Sequence, residues 1–389
     1  MTASPRVVVI GAGTLGICSA HALAEQGARV TVIDANSVAS GSSGRSVGVV
    51  GTQLTDPFEI QLRVQSVRRI RNWEERLGLN FNHIGYLRLA RTSAQMDLFA
   101  KSVEIQREAG FRSRVYQADE LTQLVPHISS DGLAGGIFGP DDGFLDPHEM
   151  CALLAAELKG LGSKVLQFCA LLGVDKTRDG YRLETGRGTL ECDFVVNAAG
   201  AWAPLVATMF GQELHVRPER HEALVIRLDE PLPYTMPMVM DLVNGEGTGL
   251  NFRHEKADEL IAEIHKVKST VPENPDDFND QCDEDSKVSL AEMLLERVPD
   301  LPGARLGRGW AGLYPVTADH RPYVGPIDPS EPRLISAAGA GGYGIQLAPV
   351  IGLITADWVL RGTPNTVPYS HKLAPTPDRN VSAGHAAAA

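Results

Sequence analysis

Three glycines near the amino terminus are spaced for binding a phosphate group. Gly11, Gly13 and Gly16 follow the β-branched run 6–10 (RVVVI) directly and precede a helical stretch. Gly11 permits a sharp exit from the strand, Gly13 lets the backbone approach a pyrophosphate, and Gly16 lets helix and strand pack closely. Free N–H groups and the positive end of the helix dipole then stabilise the negative charge. The pattern therefore predicts a dinucleotide-binding turn.

Asp34 is the acidic residue that completes this βαβ unit. It ends the second β-branched run, 29–33 (RVTVI). A carboxylate in that place accepts hydrogen bonds from ribose hydroxyls, and its charge disfavours a 2′-phosphate. Since glycine turns also end ordinary strands, the prediction depends on strand, turn, helix and acid occurring in register. We expect a dinucleotide cofactor other than NADP.

A second glycine cluster, 339–344 (GAGGYG), follows the apolar run 334–338 and precedes another helical pattern. Such a turn would place a helix N-terminus against a cofactor, where it would stabilise the negative charge of a reduced flavin. A glycine-rich loop that packs on a neighbouring segment is the alternative. The run 194–197, which continues into 198–202 (AAGAW), is typical of a strand whose end approaches a flat cofactor, or of a strand that ends in a turn.

The composition is that of an ordinary globular protein. Of the 389 residues, 43% are hydrophobic and 22% are charged, and the length is sufficient for two domains. The net charge of −12 disfavours nonspecific binding to nucleic acid and to anionic membranes. The five cysteines are scattered and include no pair with metal-ligand spacing. A reducing compartment, the cytoplasm, and no bound metal are expected.

Two apolar segments are long enough to be considered as a targeting signal or a membrane-spanning segment. The first, up to Ala24, contains the glycine turn and continues directly into the second strand, so we interpret it as part of the fold. The second, 334–356, is uncharged but carries four glycines, a glutamine and a proline in its first half. This composition favours a loop and a buried helix over a lipid-facing span.

Periodicity and turn residues predict the coarse order of elements. Helices are predicted at 57–77, 93–110 and from Pro147 to near Gly162. Strands are predicted at 85–89, 135–138, 164–168, 181–184, 190–192 and 194–197. The acidic stretch 272–287 is predicted to be an exposed loop, and the segment after Pro375 a frayed tail.

Several ordered motifs together resemble the D-amino-acid oxidase superfamily of FAD proteins, particularly the branch with sarcosine oxidase, dimethylglycine dehydrogenase and glycine oxidase. The matches extend from Val7 to about Leu360. They are 11–16 (GAGTLG) with Asp34, 41–46 (GSSGRS), 85–87 (GYL), Asp142-Gly143 with Asp146-Pro147, 195–202 (VVNAAGAW), Phe252-Arg253, 310–319 (WAGLYPVTAD) with Pro322 and Gly325, and 339–344 (GAGGYG).

The resemblance implies an α/β fold, with a Rossmann-like FAD-binding domain built from separated segments and an inserted α+β domain. A mixed β-sheet of the inserted domain would cover the flavin and hold the substrate against it. The FAD-binding domain is expected at 1–79, 146–216 and 315–372, the substrate domain at 80–145 and 217–314, and a flexible tail at 373–389. Members oxidise the C–H bond beside an amine nitrogen by hydride transfer to flavin N5, and the imine hydrolyses.

The residues that the resemblance assigns to FAD lie in the turns after three strands, in the loop 41–46 and near Gly312. They are Gly11, Gly13, Thr14, Leu15, Gly16, Asp34, Ser42, Ser43, Arg45, Ser46, Ala199, Gly200, Trp202, Gly312, Gly339, Gly341, Gly342, Tyr343, Gly344 and Ile345.

The chain departs from the family pattern at three positions. Gly312 stands where monomeric sarcosine oxidases attach FAD through a cysteine, so noncovalent FAD is expected. Tyr314 stands where glycine and D-amino-acid oxidases carry a carboxylate-binding arginine, and Gln346 where monomeric sarcosine oxidases carry a lysine. Arg253 remains as a candidate carboxylate anchor, because a guanidinium can bind a carboxylate in bidentate fashion. A structural salt bridge is the alternative for Arg253.

Four further side chains are candidates for the substrate site. Tyr314, Tyr343 and Gln346 are expected to position the substrate, with packing of the tyrosine rings in the core as the alternative. His254 and His320 are the histidines nearest to the motifs, and His254 is the further catalytic candidate.

The resulting hypothesis is an FAD-dependent oxidoreductase that acts on a small amino acid or secondary amine of the N-methyl or cyclic type. Oxidation of a 2-hydroxy acid and service as the flavin-binding subunit of a larger complex are the alternatives. The electron acceptor is O2 or another oxidant. In oxidases of this branch a lysine on one strand faces the flavin, and the matching segment 260–264 (LIAEI) has none, although Lys266 and Lys268 follow it. Dehydrogenase behaviour is therefore favoured.

Overall fold

The computed structural model describes residues 4–242, 249–265 and 271–381. Within these ranges there are seven α-helices. They are α1 (Thr14–Glu25), α2 (Pro57–Leu77), α3 (Ser93–Glu108), α4 (Pro147–Gly160), α5 (Ala203–Met209), α6 (Glu284–Arg297) and α7 (Gly344–Arg361). Of these, α2, α3 and α4 have a side-chain cap at the N-terminus. In α2, for example, the Asp56 carboxylate accepts a hydrogen bond from Glu59 N at 2.9 Å, and Gly78 ends the helix with φ at 71°.

A six-stranded sheet forms the first large layer. Its strands are β1 (Arg6–Ile10), β2 (Arg29–Ile33), β9 (Lys164–Leu166), β13 (Phe194–Asn197), β19 (Tyr323–Pro326) and β20 (Leu334–Ala338). The order is β19-β20-β13-β1-β2-β9, and all neighbours are parallel except β19 and β20. The chain leaves β1 toward β2 on one side, whereas β13 and β20 lie on the other. The turns after β1, β13 and β20 therefore meet at one carboxyl edge, at the topological switch point.

Successive side chains of the central strand β1 point into two different hydrophobic cores. Val7 and Val9 of β1 point into a core shared with α1, α2, α4 and α7. Val8 and Ile10 point into a second core, shared with α5 and a small antiparallel sheet. That sheet consists of β10 (Leu171–Lys176), β11 (Tyr181–Thr185) and β12 (Gly188–Cys192). The parallel sheet is thus covered on both faces, as a Rossmann-like layer requires.

An eight-stranded mixed sheet forms the second large layer. Its strands are β5 (Tyr86–Ala90), β6 (Arg114–Gln117), β7 (Gly135–Gly139), β14 (Arg217–Arg227), β15 (Met238–Leu242), β16 (Gly249–Lys256), β17 (Glu259–His265) and β18 (Arg305–Val316). The order is β18-β14-β17-β16-β15-β5-β7-β6, and only the β15–β5 pairing is parallel. One face buries Leu224, Phe252 and Leu260 against α6. The other face looks toward the six-stranded layer.

A three-stranded sheet lies between the two large layers. Its strands are β3 (Val49–Val50), β4 (Phe81–Asn82) and β8 (Gly143–Leu145). Groups of strands that belong to the two large sheets alternate along the sequence. The domain of the eight-stranded sheet is therefore inserted into the domain of the six-stranded sheet. The α/β fold with a Rossmann-like layer and an inserted mixed sheet, expected from the resemblance, is confirmed.

Two stretches differ from the sequence-based expectation. Helix α6 begins at Glu284, inside the segment 272–287 that was expected to be loop throughout, while 272–283 is largely exposed loop. Beyond Pro375, Arg379 donates to the Asp319 carboxylate at 2.7 Å, and Asn380 Nδ2 donates to Glu213 O at 2.8 Å. The described part of the tail, up to residue 381, therefore packs on the domain, and 382–389 lie outside the described residues.

One helical segment of the described chain, Gly341–Arg361, is long and apolar enough to cross a membrane. In this fold 72% of its most apolar window is buried inside the protein. Gly352 lies where a Cβ would collide with Cys18 O of α1, so α7 packs directly against α1. The segment is accounted for as a core helix, as the glycines and the proline in its sequence predicted.

Candidate active site

The turn after β1 has the geometry of a phosphate-binding turn. Gly11 adopts φ of 107°, and a Cβ there would collide with Ala198 O of the neighbouring strand end. A Cβ on Gly13 would lie 3.1 Å from Ser43 Oγ, in the space before the first turn of α1. Gly13 provides no capping side chain at the N-terminus of α1, although Ser43 Oγ accepts from Thr14 N. The remaining N–H groups of this first turn fit a pyrophosphate, which would accept from them.

The Asp34 carboxylate is bound to the same turn. Its Oδ2 accepts from Ala12 N at 2.6 Å, and its Oδ1 accepts from Asn36 N at 2.7 Å. A carboxylate offers about four lone pairs, so ribose hydroxyls can still donate to it. Asp34 therefore has a structural task, fixing the glycine turn, beside the ribose contact expected from the sequence.

The loop 41–46 lies between the glycine turn and the second sheet. Ser43 Oγ accepts from Thr14 N at 3.0 Å, and Arg45 donates to Ser40 O at 3.0 Å. On the other side, Trp310 Nε1 of β18 donates to Arg45 O at 2.8 Å. A Cβ on Gly312 would lie 3.0 Å from Arg45 Cβ, so the position offers little room for a cysteine. Ser46 Oγ accepts from Gly48 N at 3.2 Å.

The turns after β13 and β20 complete the same edge. Gly200 has φ of 58°, and no heavy atom would lie within 4 Å of a Cβ there. Gly339 and Gly341 have φ of 74° and 53° and lead into α7, whose N-terminus also lacks a capping side chain. The open space at Gly200 and Gly344 and the two helix N-termini fit an extended dinucleotide with a flavin.

Other predicted cofactor residues contribute backbone rather than side chains. The side chains of Leu15 and Ile345 lie in the hydrophobic core beneath the turns. Ala199 N donates to Asn197 Oδ1 at 3.3 Å, which shapes the turn after β13. Trp202 Nε1 donates to Asp276 Oδ1 at 2.7 Å, which links this turn to the acidic loop.

The face of the eight-stranded sheet that looks toward this edge is polar. Tyr314 of β18 stacks on His221 of β14, with ring centroids 3.8 Å apart and planes inclined by 17°. Glu263 of β17 accepts from Asn251 Nδ2 of β16 at 3.0 Å. A Cβ on Gly342 would lie 2.5 Å from Tyr314 Cε2, so this group lies beside the N-terminus of α7.

Burial and neighbouring charges set the ionisation of this group. Burial raises the pKa of Glu263, whereas the hydrogen bond from Asn251 and the charges of His221 and Arg253 act in the opposite direction. Burial raises the pKa of Tyr314 strongly, and the nearby Glu263 carboxylate raises it further. Tyr314 is therefore a neutral hydrogen-bond donor at physiological pH.

Arg253, the predicted carboxylate anchor, is buried and already bound. Its Nε and one terminal nitrogen donate to Val47 O at 3.1 and 2.7 Å. The other terminal nitrogen donates to His254 O at 2.8 Å and to Glu255 at 2.6 Å. The guanidinium carbon lies 3.6 Å from the centre of the Phe144 ring. The sequence allowed Arg253 either to bind a substrate carboxylate or to form a structural salt bridge. In the structure it forms the salt bridge, with Glu255.

Gln346 and Tyr343 lie at the start of α7 with a buried arginine. Arg63 Nε of α2 donates to Gln346 Oε1 at 3.1 Å, and the Arg63 guanidinium lies 5.1 Å from the Tyr343 ring centre. Glu59 pairs with Arg63 at 2.5 Å. The hydrogen bond from Arg63 fixes the orientation of the Gln346 amide.

His254 lies outside the polar group formed by Tyr314, His221 and Glu263. It follows Arg253 on β16, and successive strand residues point to opposite faces. Its Nδ1 accepts from Met236 N at 3.0 Å. His320 lies in the turn before β19, with φ of 57°. Lys266 and Lys268 lie outside the described residues.

Three residues of the polar face were missed by reasoning from the sequence. His221, Asn251 and Glu263 lie on neighbouring strands, and their proximity depends on the strand order and register. The only available signal was Glu263 itself, a carboxylate at an alternate position of the apolar run 260–264. A charged residue in such a run indicates a strand face that is not packed in a core.

Comparison with known proteins identifies the architecture. The model of the FAD dependent oxidoreductase family, DAO, matches residues 6–358. Glycine oxidase of Geobacillus kaustophilus is 26% identical over 370 residues, which cover 93% of this chain and 94% of that protein. Mitochondrial dimethylglycine dehydrogenase of Mus musculus is 26% identical over 92% of this chain, which spans 42% of that protein. The structure of L-proline dehydrogenase from P. horikoshii superposes with a TM-score of 0.84 at 26% identity, covering 96% of this chain and 97% of that one.

Proposed function

Because the chain belongs to the DAO family of FAD-dependent oxidoreductases, we propose that it oxidises the C–H bond next to the nitrogen of a small amine or amino acid. The substrate would be of the N-methyl or cyclic type. The observation that carries the proposal is the polar face with Tyr314, His221 and Glu263, which lies opposite the three glycine turns. The names of the relatives above support the substrate class.

The residues that would hold FAD follow from the geometry. The N-terminus of α1 and Ser43 would bind the pyrophosphate, and Asp34 a ribose. Gly200 and Gly344 leave open space for the rings. When bound, FAD supplies the acceptor for the hydride equivalent. We propose noncovalent binding, because Gly312 carries no thiol and all five cysteines are buried.

The residues of the chain would supply orientation and electrostatics. The N-terminus of α7, 18 residues long and uncapped, presents N–H groups that favour negative charge near the glycine cluster. The Tyr314 hydroxyl donates to Glu263 and remains neutral. Tyr343 and the Gln346 amide, held by Arg63, would form the wall next to α7. Arg253 would bind a substrate carboxylate only by exchanging part of its contact with Val47 O.

An anaerobic substrate panel tests this proposal. Purified holoenzyme is mixed with secondary amines, N-methyl and cyclic amino acids, and 2-hydroxy acids, and the flavin absorbance is followed. Bleaching by amines or amino acids supports the proposal. Bleaching by 2-hydroxy acids alone would replace it with the hydroxy-acid reaction, and bleaching by none of them, with dithionite as the positive control, would favour a flavin-binding subunit.

A further inference from the structure

Glu263 is a carboxylate of the polar face that feels the charges of Arg253 and His221 but forms no close ion pair with either of them. Glu263 occupies the middle of the polar face, between β14 and β16 in the sheet order. Its side chain is half-buried. Among the residues that the structure describes, Glu263 takes part in no ion pair within 4 Å. Its contacts are neutral: Asn251 Nδ2 at 3.0 Å and the nearby Tyr314 hydroxyl.

Two arginines near the polar face are each paired with a glutamate. Arg253 pairs with Glu255 at 2.6 Å and donates its remaining hydrogen bonds chiefly to carbonyls. Arg63 pairs with Glu59 at 2.5 Å and with the Gln346 amide. Within the described part of the chain Glu263 itself has no such close partner, so an N–H cation placed beside it would gain a charge-assisted hydrogen bond.

Resting on the proposed function, we propose that Glu263 binds the cationic nitrogen of the substrate, so that the site selects amines by their positive charge rather than by a carboxylate. The bound N–H points its proton at a carboxylate oxygen. Transfer of that proton breaks the N–H bond, forms an O–H bond on Glu263 and leaves the neutral amine from which a hydride equivalent can depart. Amines that lack a carboxylate are then included in the substrate class.

The position and alternation of β17 support this role. Residues 259, 261 and 263 share one face, and Leu260 and Ala262 are buried on the other. Glu259 is on the same face as Glu263 but at the sheet's far end, where it pairs with Arg227 and Lys256 at 3.4 and 3.2 Å. Glu259 is therefore a matched control: the same residue type, strand and face, with cationic partners and outside the cleft.

Binding of a non-oxidisable cation to the holoenzyme tests the proposal. Tetramethylammonium has no N–H and no lone pair, so it cannot turn over, and pivalate is an anion of similar shape. Isothermal titration calorimetry should show that wild type prefers tetramethylammonium, and that Glu263→Gln weakens its binding by at least about tenfold, because the variant removes the charge attraction between the carboxylate and the cation. Glu259→Gln should leave binding unchanged. Equal cation affinity in wild type and Glu263→Gln, or preference of the wild type for pivalate, would overturn the proposal.

A conservative variant guards against simple misfolding. Glu263→Asp keeps the charge and should retain measurable preference for the cation, whereas Glu263→Gln keeps the shape and loses the preference. Flavin content and melting temperature are recorded for each protein. If both variants lose cation binding while their melting temperatures match the wild type, geometry rather than charge is responsible, and the proposal fails.

The pH dependence of cation binding distinguishes a role of Glu263 from a role of the titratable groups around it. The titratable and charged groups that face Glu263 are His221 of β14, Arg253 of β16, Tyr314 of β18 and Tyr86 of β5. Because tetramethylammonium does not titrate, its affinity should fall as the pH is lowered and Glu263 takes up a proton. In Glu263→Gln this fall should disappear. If it persists, protonation of His221 is the cause and the assignment to Glu263 is wrong.

The binding readout is independent of turnover. Cation binding that depends on Glu263, in an enzyme whose flavin no amine bleaches, would refute the proposed oxidation and leave the cation site in place. If amines bleach the flavin but Glu263→Gln leaves the cation affinity unchanged, the proposed oxidation stands and the proposed cation site is refuted.

Discussion

The residues that line the cleft give it less positive charge than the family resemblance predicts. Tyr314 and Gln346 stand where the resemblance leads one to expect an arginine and a lysine, and the segment 260–264 of β17, which is expected to carry a lysine, contains Glu263 and no lysine. The arginines that remain, Arg253 and Arg63, are each paired with a glutamate. In the proposed site, neutral donors and one carboxylate would meet the substrate, an arrangement that favours a cationic ligand.

Replacement of Asp34 by alanine should weaken FAD retention. The variant loses a charged acceptor for the ribose, at a cost of about 1–3 kcal/mol in binding free energy. It also loses the hydrogen bond from Ala12 N. The affinity of the apoprotein for FAD and the melting temperature of the apoprotein separate these two losses. Unchanged FAD affinity would mean that Asp34 serves the turn alone.

Asp142 should make stability pH dependent. It is fully buried, and accepts from Thr52 N and Oγ1 at 3.0 Å and from Gln53 Nε2 at 2.8 Å. Burial raises its pKa from 3.8 to about 7, so between these values the folded chain binds more protons than the unfolded chain. The contribution of Asp142 to stability is present at low pH and is lost as the pH rises through about 7.

Asp142→Asn removes this titration. The melting temperature of the variant should therefore improve relative to wild type as the pH is raised from about 5 to 8, since the wild type alone must bury a charge. Other titrating groups cancel in the difference. A difference between the two proteins that stays constant over this range would contradict the assignment.

At the scale of elements, the βαβ unit could be predicted almost to the residue. Its strands β1 and β2 have the predicted bounds, and so does α2, which follows the unit, because the signals are local: β-branched runs, a capping Asp56 before Pro57, and Gly78 after the last turn. The strands β14 to β17 were not predicted. Their pairing partners are far apart in the sequence, and alternation along them depends on which face meets the other domain.

Gly16→Ala tests the close packing in the βαβ unit. A Cβ at this position would collide with Gly11 O and lie 3.3 Å from Ala198 Cβ. Overpacking of this kind costs about 1–3 kcal/mol, and here it also displaces the turn that binds FAD. Lower flavin content and a lower melting temperature are expected.

Gly160→Ala is the control for that substitution. Gly160 ends α4, and no heavy atom would lie within 4 Å of the added Cβ. Alanine in a helix is favoured over glycine by about 0.5–1 kcal/mol, so this variant should be as stable as wild type or more so. Equal behaviour of the two variants would show that Gly16 is not in a packed contact.

At the scale of the whole molecule, the cleft exists because two sheets are held facing each other. Trp310 Nε1 donates to Arg45 O, Arg253 donates to Val47 O, and Asp276 accepts from Trp202 Nε1. The site could be predicted on the side of the glycine turns, where backbone conformation dictates residue type. It could not be predicted on the side of the sheet, where the strand order brings distant residues together.

Reaction of the reduced enzyme with oxygen should be slow. Glu263 adds negative charge on the strand where a lysine would stabilise the charge that develops on oxygen. We expect reoxidation by a dye or quinone to outpace reoxidation by O2 in stopped-flow mixing. Reoxidation by O2 as fast as turnover, with stoichiometric hydrogen peroxide, would establish an oxidase instead.

The central claim is that the cleft oxidises a C–H bond next to an amine nitrogen. The most direct measurement mixes the oxidised holoenzyme anaerobically with an N-methyl amine, with and without deuterium on the carbons next to nitrogen, and follows flavin absorbance. We predict bleaching that is slower for the deuterated amine, because the C–H bond breaks as the flavin is reduced. No bleaching by any amine of the series, in an enzyme whose flavin is bleached by 2-hydroxy acids, would contradict the account.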